Sequence, residues 1–448
     1  MAHKWKTMTI DEIKSKDERS IAIGPFGSRM KAELYVDSGI PVIRGNNISN
    51  TRELTGGFVF VSTKTADELR SCNVFADDLV FPHRGAIGQV AIVPRIDTER
   101  FMLSTSLMKL TCDKNLVDPK FVFYFFRSSL GRHALLRNSS TVGTPGIGQP
   151  LSSLRSIEIP VPPIEEQQAI AHILGTLDDK IDLNRRMNQT LEEIARAIFK
   201  SWFIDFDPVR AKAEGRQPFG IDAETAALFP DSFEESELGM IPAGWTVSKF
   251  LQHAVLLSGG TPKTDRPEYW GGDIQWASAK DVSQCAEGFL ISTDRTITDL
   301  GLAESSTKMI PQYATAVVAR GATTGRMTML GSEMAMNQTC YALQSTTATP
   351  FWLNLMAQSE IGRLLNAAHG SVFDTITTST FNSSQVIAPS IQVKQQFETL
   401  INHTFRKILA NLRENETLKR IRDALLPQLL SGELRVSVAD RKLSEVGV

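Results

Sequence analysis

Two stretches of this 448-residue chain repeat one another. Residues 188–198 read Asn-Gln-Thr-Leu-Glu-Glu-Ile-Ala-Arg-Ala-Ile, and residues 415–425 read Asn-Glu-Thr-Leu-Lys-Arg-Ile-Arg-Asp-Ala-Leu, an offset of 227. The register holds without a gap from Pro162 and Pro389. It matches Ile164 to Ile391, Gln168 to Gln395, Ile173 to Leu400, Leu174 to Ile401, Ile181 to Ile408 and Asn184 to Asn411. A long internal repeat constrains the fold before any single residue does. A unit that occurs twice, each time ending in a long helix, suits a chain that touches two similar targets a fixed distance apart.

Length alone implies about three domains at ~150 residues each; the repeat revises this to two similar halves. No apolar run approaches the ~18 residues of a membrane span, and Met1–Ile10 lacks an apolar signal core. Cys72, Cys112, Cys285 and Cys340 are far apart and form no Cys-x-x-Cys pair. That usage fits a reducing cytoplasm and argues against structural zinc. The net charge of −2 is uneven: residues 1–150 carry 20 Lys+Arg against 15 Asp+Glu, and residues 211–245 carry 2 against 7. This distribution permits DNA binding without showing it.

From Ile170 the sequence places residues at 3/4 spacing: Ile170, Leu174, Leu177, Ile181, Asn184, Asn188, Leu191, Ala195, Ile198, Trp202. The copy gives Phe397, Ile401, Thr404, Ile408, Asn411, Asn415, Leu418, Arg422, Leu425, Leu429. These are coiled-coil seams of over four heptads, each roughly 57 Å of helix. That is too long for the interior of one small domain, so the two helices are expected to pair. Ile181, Asn184, Asn188, Ile408, Asn411 and Asn415 are the expected pairing residues. Asparagine in a seam fixes register because a buried amide needs a partner. An antiparallel arrangement places Asn184 near Asn411, yet the residues also allow a parallel one. At Arg422 the seam is imperfect, and Ile421 is expected to take the inward place.

Each helix follows short strand-like runs broken by Gly, Pro and Asn, as in α+β or β-rich domains. These regions are related more loosely. Ile40–Ser49 matches Ile274–Ser283, Leu79–Gly88 matches Ala316–Gly325 with one slip before the last glycine, and Trp5 matches Trp245. The heads have diverged more than the helices, as expected of a common frame carrying two different readers. The expected division is a head at 1–160, a helix at 161–203, a connection at 204–244, a second head at 245–388, a second helix at 389–430 and a tail at 431–448. The connection contains Phe206, Phe219, Leu228, Phe229 and Phe233 and reads as ordered but irregular.

No catalytic constellation stands out. There is no phosphate loop and no His-Glu-x-x-His. Gly143–Gln149 is glycine-rich but lacks the strand–turn–helix setting of a dinucleotide site, and is better read as a turn near a binding surface. Asp178, Asp179 and Asp182, with Asp205 and Asp207, read as a solvated helix face and a turn rather than a metal site. His83 reads as structural. What remains is a set of basic and amide side chains on loops: Arg44, Asn46, Asn47 and Arg84 in the first half, and Lys280, Arg320, Arg326, Asn337 and Gln338 in the second. Arg and Lys donate to guanine edges, and Asn and Gln pair with adenine. The repeated Arg84-Gly85 and Arg320-Gly321 is the strongest pair, although glycine there also suits a plain turn.

Several segments resemble the DNA-specificity subunit of type I restriction–modification enzymes. They are Ile159–Ile170 at the helix entry, Ser201–Gly215, Ala226–Phe233 and Ser236–Trp245 in the centre, and Leu429–Arg435 near the end. The resemblance covers essentially the whole chain and is most specific in the helices and residues 200–245. It implies two target-recognition domains separated by two long helices forming an antiparallel coiled coil with an internal pseudo-two-fold. It further implies a non-catalytic, cytoplasmic subunit that reads a split sequence in double-stranded DNA. Two methyltransferase subunits and motor–nuclease subunits are its implied partners. S-adenosylmethionine, ATP and Mg belong to those partners, and no cofactor or metal is expected on this chain. Base-contacting residues do not carry over, because the family keeps no fixed motif there. The competing readings are a coiled-coil scaffold that never touches bases and a metal-dependent nuclease using the linker aspartates.

Overall fold

The computed structural model describes residues 5–26, 29–49, 52, 54–140, 143–368 and 375–439. The two stripes form 40-residue helices, Ile164–Phe203 and Ile391–Leu430. Glu165 and Glu166 sit in the first turn of the first helix, where negative charge meets the positive end of the helix dipole. Ser390 caps the second, its hydroxyl accepting from the Val393 N–H at 3.3 Å. Gly432, at φ 72°, ends it.

The chain divides into two compact units, Met1–Ile181 with Thr417–Val448, and Asp182–Glu416. Each unit takes one globular head, the start of that head's own helix and the end of the other helix. In the first unit Ile170, Leu174, Leu177 and Ile181 share a core with Leu418, Leu425 and Leu429. In the second, Ala195, Phe199 and Trp202 share one with Phe397, Ile401 and Ile408. Within the second unit the partners descend along one helix as they ascend along the other: Asn184 with Asn415 (3.0 Å), Asn188 with Asn411 (2.8 Å), Phe199 with Phe397 (ring centroids 5.8 Å). The pairing is antiparallel, which residue spacing alone left open.

The amides do not meet as the spacing implied. Asn184 and Asn411 are not partners; each pairs with the asparagine one turn along the opposite helix. All four amides are buried, and a buried amide left unpaired costs roughly 1–3 kcal/mol, so the ladder admits this register and penalises a slip. One further expectation is corrected. Asp178 and Asp182 are 4% and 6% exposed rather than solvated. Ile421 packs on the core as expected, and beside it Arg422 is not displaced to solvent but keeps a side chain 14% exposed. Its guanidinium donates to Asp178 at 2.7 Å, and the Tyr124 hydroxyl donates to the other carboxylate oxygen at 2.9 Å. The acid that looked solvent-facing is the partner of the base that looked like a flaw in the seam. Near Thr404, the neighbouring Phe405 supplies the apolar packing, stacked on Phe351 with centroids 4.4 Å apart.

The first head contains an antiparallel sheet in the order Ile21–Ile23, Leu107–Leu110, Leu79–Pro82, Ala91–Ile92. Its second sheet runs Tyr35–Val36, Val59–Val61, Ile40–Ile43, Phe101–Leu103, Asn73–Val74, with Ile40–Ile43 parallel to Phe101–Leu103. The second head repeats the plan. Ala254–Ser258, Cys340–Ser345, Thr315–Val318, Met327–Leu330 and Phe289–Leu290 form one sheet. Thr296–Ile297, Trp270–Ala277, Met334–Met336 and Met309–Ile310 form the other, with Trp270–Ala277 parallel to Met334–Met336. In each unit a strand after the matched tryptophan pairs with the strand that leads into the long helix: Lys6 opposite Val161, and Thr246 opposite Ala388.

Each long helix also holds a head helix by its N-terminus. The Gln167 side chain accepts from the Asp118 N–H at 2.9 Å and donates to the Leu116 carbonyl at 3.1 Å, at the start of Pro119–Arg127. The Glu398 carboxylate accepts from the N–H groups of Phe351 and Trp352, both at 3.0 Å, at the start of Pro350–Ala368. Burial pushes the Glu398 carboxyl up to about 7, against those two hydrogen bonds, which favour its charged form. The connection at 204–244 is more regular than its composition implied, with helices Asp207–Ala213 and Ala223–Ala227 and a hairpin of Phe233–Ser236 with Gly239–Pro242. Phe206 and Phe229 pack on Trp245 and Trp202, whereas Phe219 is fully exposed.

Candidate nucleic-acid interface

The strands of each head deliver their following loops to one place, and the backbone ties those loops together in the same way twice. In the first head the Ser104 N–H donates to the Ile43 carbonyl at 2.9 Å, and the His83 N–H to Ser106 at 2.9 Å. The Ile147 N–H donates to His83 at 2.9 Å. In the second head Asn337 donates to Ala277 at 2.9 Å, Ala319 to Thr339 at 2.9 Å, and Ile376 to Ala319 at 3.0 Å. These pairs correspond one for one. Gly143–Gln149, read from sequence as a turn near a binding surface, belongs to the cluster: its Pro145 carbonyl accepts from Gly85 at 2.8 Å.

Glycine makes the close approach possible in both. A Cβ on Gly24 would lie 1.8 Å from the Ser104 carbonyl oxygen, and one on Gly259 would lie 2.2 Å from that of Asn337. The matched Arg-Gly pairs occupy equivalent turns, with Gly85 at φ 83° and Gly321 at φ 99°, a region open to glycine without steric cost. The glycines at the ends of those turns, Gly88 and Gly325, lie against Leu136 and Leu365.

The nine candidate side chains separate by what they already do. Asn46, Arg84, Arg320, Arg326 and Gln338 are exposed on the loop clusters. Gln338 accepts a hydrogen bond from the Thr261 hydroxyl. Lys280 is exposed and paired with Asp294 at 2.5 Å, and that hydrogen bond holds its ammonium above its ordinary value. Arg44 is half-buried and donates to the Gly57 carbonyl at 3.0 Å. Asn47 and Asn337 are buried within their loops. Asn47 is fully buried, accepting from the Arg44 N–H at 2.9 Å and donating to the Thr55 carbonyl at 2.8 Å. Asn337 accepts from the Thr339 hydroxyl at 2.8 Å and the Thr339 N–H at 3.2 Å. Both shape their loops: an amide whose oxygen closes a turn is not free to pair with a base. His83 contacts the Thr105 carbonyl at 3.2 Å. Burial pushes its imidazole below the ordinary value despite that contact, so it adds no charge at neutral pH.

Each head is also tied to helix within its own unit. Arg52 pairs with Asp179 in the first, and Arg185 with Glu287 at 3.4 Å in the second. The sequence reading missed a third feature, the stack of Arg295 on Trp270 beside Trp276. Six residues of regular strand would hold the two indoles ~20 Å apart; the bulge between Trp270 and Ile274 brings them together, so neither the pair nor the strand that places Arg295 beside it was legible in the spacing. Among the described residues no group of three or more His, Cys, Asp or Glu side chains is placed to hold a metal ion, and no helix is long and apolar enough to cross a membrane.

The profile of the family described as type I restriction modification DNA specificity domain matches residues 3–193 and 242–420. The HindI type I restriction enzyme specificity subunit of Haemophilus influenzae is 30% identical over 382 residues, covering 75% of this chain and 82% of the relative. The MjaIX specificity subunit of Methanocaldococcus jannaschii is 25% identical over 438 residues, covering 95% and 94%. The crystal structure of a type I restriction–modification S subunit from M. genitalium shares the fold at a TM-score of 0.56 and 16% identity, covering 95% of this chain and 96% of that one.

Proposed function

This chain belongs to the type I restriction–modification DNA-specificity family, and from that premise we propose that its two loop clusters are separate readers of a bipartite DNA target. As a specificity subunit it is not the catalyst. It directs adenine-N6 methylation, and cleavage where a motor–nuclease is present, by partner subunits that carry S-adenosylmethionine, ATP and Mg. Double-stranded DNA and two methyltransferase subunits are its partners, in the cytoplasm. The residues 1–160 and 245–388 act as target-recognition domains. The helices at 161–203 and 389–430 set the gap, with the pairing residues Ile181, Asn184, Asn188, Ile408, Asn411 and Asn415 fixing their register. The segment 204–244 connects the first helix to the second head, and residues 431–448 follow the second helix.

The observation that carries this reading is the duplicated loop frame. One hydrogen-bond pattern is built twice, and different side chains stand on it. A scaffold that never read bases would have no use for two matched frames with divergent tips. Exposed Asn46, Arg84, Arg320, Arg326, Gln338 and Lys280 are the side chains we place toward DNA, with Arg44 at the rim. Base edges in the major groove distinguish all four pairs through donors of these types, while Lys and Arg at phosphates supply affinity.

The test is co-expression with the cognate methyltransferase subunit in an unmethylated host, followed by mapping of N6-methyladenine. A split motif that appears with this chain and vanishes without it is the expected result. Metal-dependent cleavage by the chain alone, lost in Asp205→Asn, would instead support a nuclease.

A further inference from the structure

We propose that Arg295 is a specificity-determining residue of the second unit and reads a guanine edge in the half-site that this unit recognises; the proposal rests on the two-reader function above. Strand Trp270–Ala277 carries Trp270 and Trp276 with ring centroids 5.1 Å apart and planes at 89°. Both indoles are anchored. Trp270 donates to the Lys263 carbonyl at 3.1 Å, and Trp276 to the Gly260 carbonyl at 3.0 Å. The Trp276 N–H donates to the Arg295 carbonyl at 3.2 Å, which sets residue 295 beside the pair. The Arg295 guanidinium then lies 3.4 Å from the Trp270 ring centroid.

Stacking uses the face of a guanidinium and leaves its in-plane N–H groups pointing outward. Among the described residues the Arg295 guanidinium has no hydrogen-bond or ion-pair partner, although the residue is exposed. The nearby cation, Lys280, is already paired with Asp294. Arg295 is therefore a charged fork held in one plane and unspent in the free protein. It belongs to the loop cluster: Gly260, which receives the Trp276 indole, donates its own N–H to Met336 at 2.8 Å, and Asp294 is the preceding residue.

The first unit shows what this position looks like without the device. Val42 pairs with Met102 as Trp276 pairs with Ala335, and Val59 stands opposite Val42 where Arg295 adjoins Trp276. Two valines replace a tryptophan and an arginine on a matched frame, so the first unit has no fork here. A planar pair of donors matches guanine O6 and N7 in the major groove. A phosphate contact would fix position without carrying sequence information, so a change in base preference is what separates the two.

The test maps N6-methyladenine for the complex carrying Arg295→Lys or Arg295→Ala, with the second unit's half-site taken as the one that persists when residues 1–150 are exchanged. Lysine keeps the charge and loses the fork. Both variants should become degenerate at one G·C position of that half-site, with discrimination falling roughly 5- to 150-fold in competition binding with duplexes substituted there. The other half-site should be unchanged, which also verifies folding. An unchanged motif in both variants overturns the proposal. So does a uniform loss of affinity in Arg295→Ala that Arg295→Lys restores, which is the signature of a phosphate contact. Should a variant give no methylation, the competition assay on the purified complex decides by the same criterion. Failure of the unaltered chain to specify any split motif would overturn the two-reader function itself rather than this residue.

Discussion

Arg422→Ala should destabilise the first unit by about 3–5 kcal/mol, the range for a buried ion pair stripped of one partner. Asp178 is 4% exposed and its carboxylate receives Arg422 at 2.7 Å and Tyr124 at 2.9 Å, with Arg127 at 3.7 Å. Without Arg422 the carboxylate keeps the phenol and the more distant guanidinium, so the lower end of that range is expected. The double variant Asp178→Leu with Arg422→Met removes both charges together but also strips the Tyr124 hydroxyl and Arg127 of their acceptor, so it should recover only part of the loss. Hydrogen exchange reads this locally. Amides of Ile170–Leu177 should lose protection in Arg422→Ala, while those of Ala195–Trp202 in the second unit should not. A loss under ~1 kcal/mol would show that Arg422 and Asp178 are not a buried pair.

Gly24→Ala and Gly259→Ala should each abolish sequence-directed methylation. The added methyl would fall 1.8 Å from the Ser104 carbonyl oxygen in the first head and 2.2 Å from the Asn337 oxygen in the second. Neither contact is with the flexible end of a side chain. Ser104 and Asn337 donate to Ile43 and Ala277, so relief must open the loop frame itself. The cost should exceed the ~1–3 kcal/mol of ordinary overpacking and fall on the tips rather than the cores. Gly57→Ala is the control. No atom lies within 4 Å of its added Cβ, and methylation should continue. Restriction-resistance or sequencing of host DNA measures all three. Normal methylation by Gly24→Ala would mean that the loop frame is not the reading surface.

The helices were legible because 3/4 spacing is local and because they occur twice. Pro162-Pro163 and Pro389-Ser390 marked starts that fall at Ile164 and Ile391. The matched Arg84-Gly85 and Arg320-Gly321 were legible too, since a positive φ at glycine leaves a residue-level mark. What escaped was every feature that depends on a distant partner. Asp178 looked solvated because Arg422 lies 244 residues away. The asparagines were readable as a ladder, but which rung faces which depends on helix phase, and that phase placed Asn184 on Asn415 rather than Asn411. Asn47 looked like a base reader because side-chain type does not reveal that Thr55 and Arg44 already claim its amide. Arg295 was invisible because strand Thr296–Ile297 pairs with Trp270–Ala277 across a bulge, and no spacing rule brings residue 295 to residue 270.

The central claim is that each head reads one half of the target independently. Exchanging residues 1–150 for those of a relative with a different target, and mapping N6-methyladenine in the resulting complex, tests it directly. One half of the motif should change, the other half should stay and the gap length should be kept, because both long helices are retained. A motif altered in both halves would contradict it.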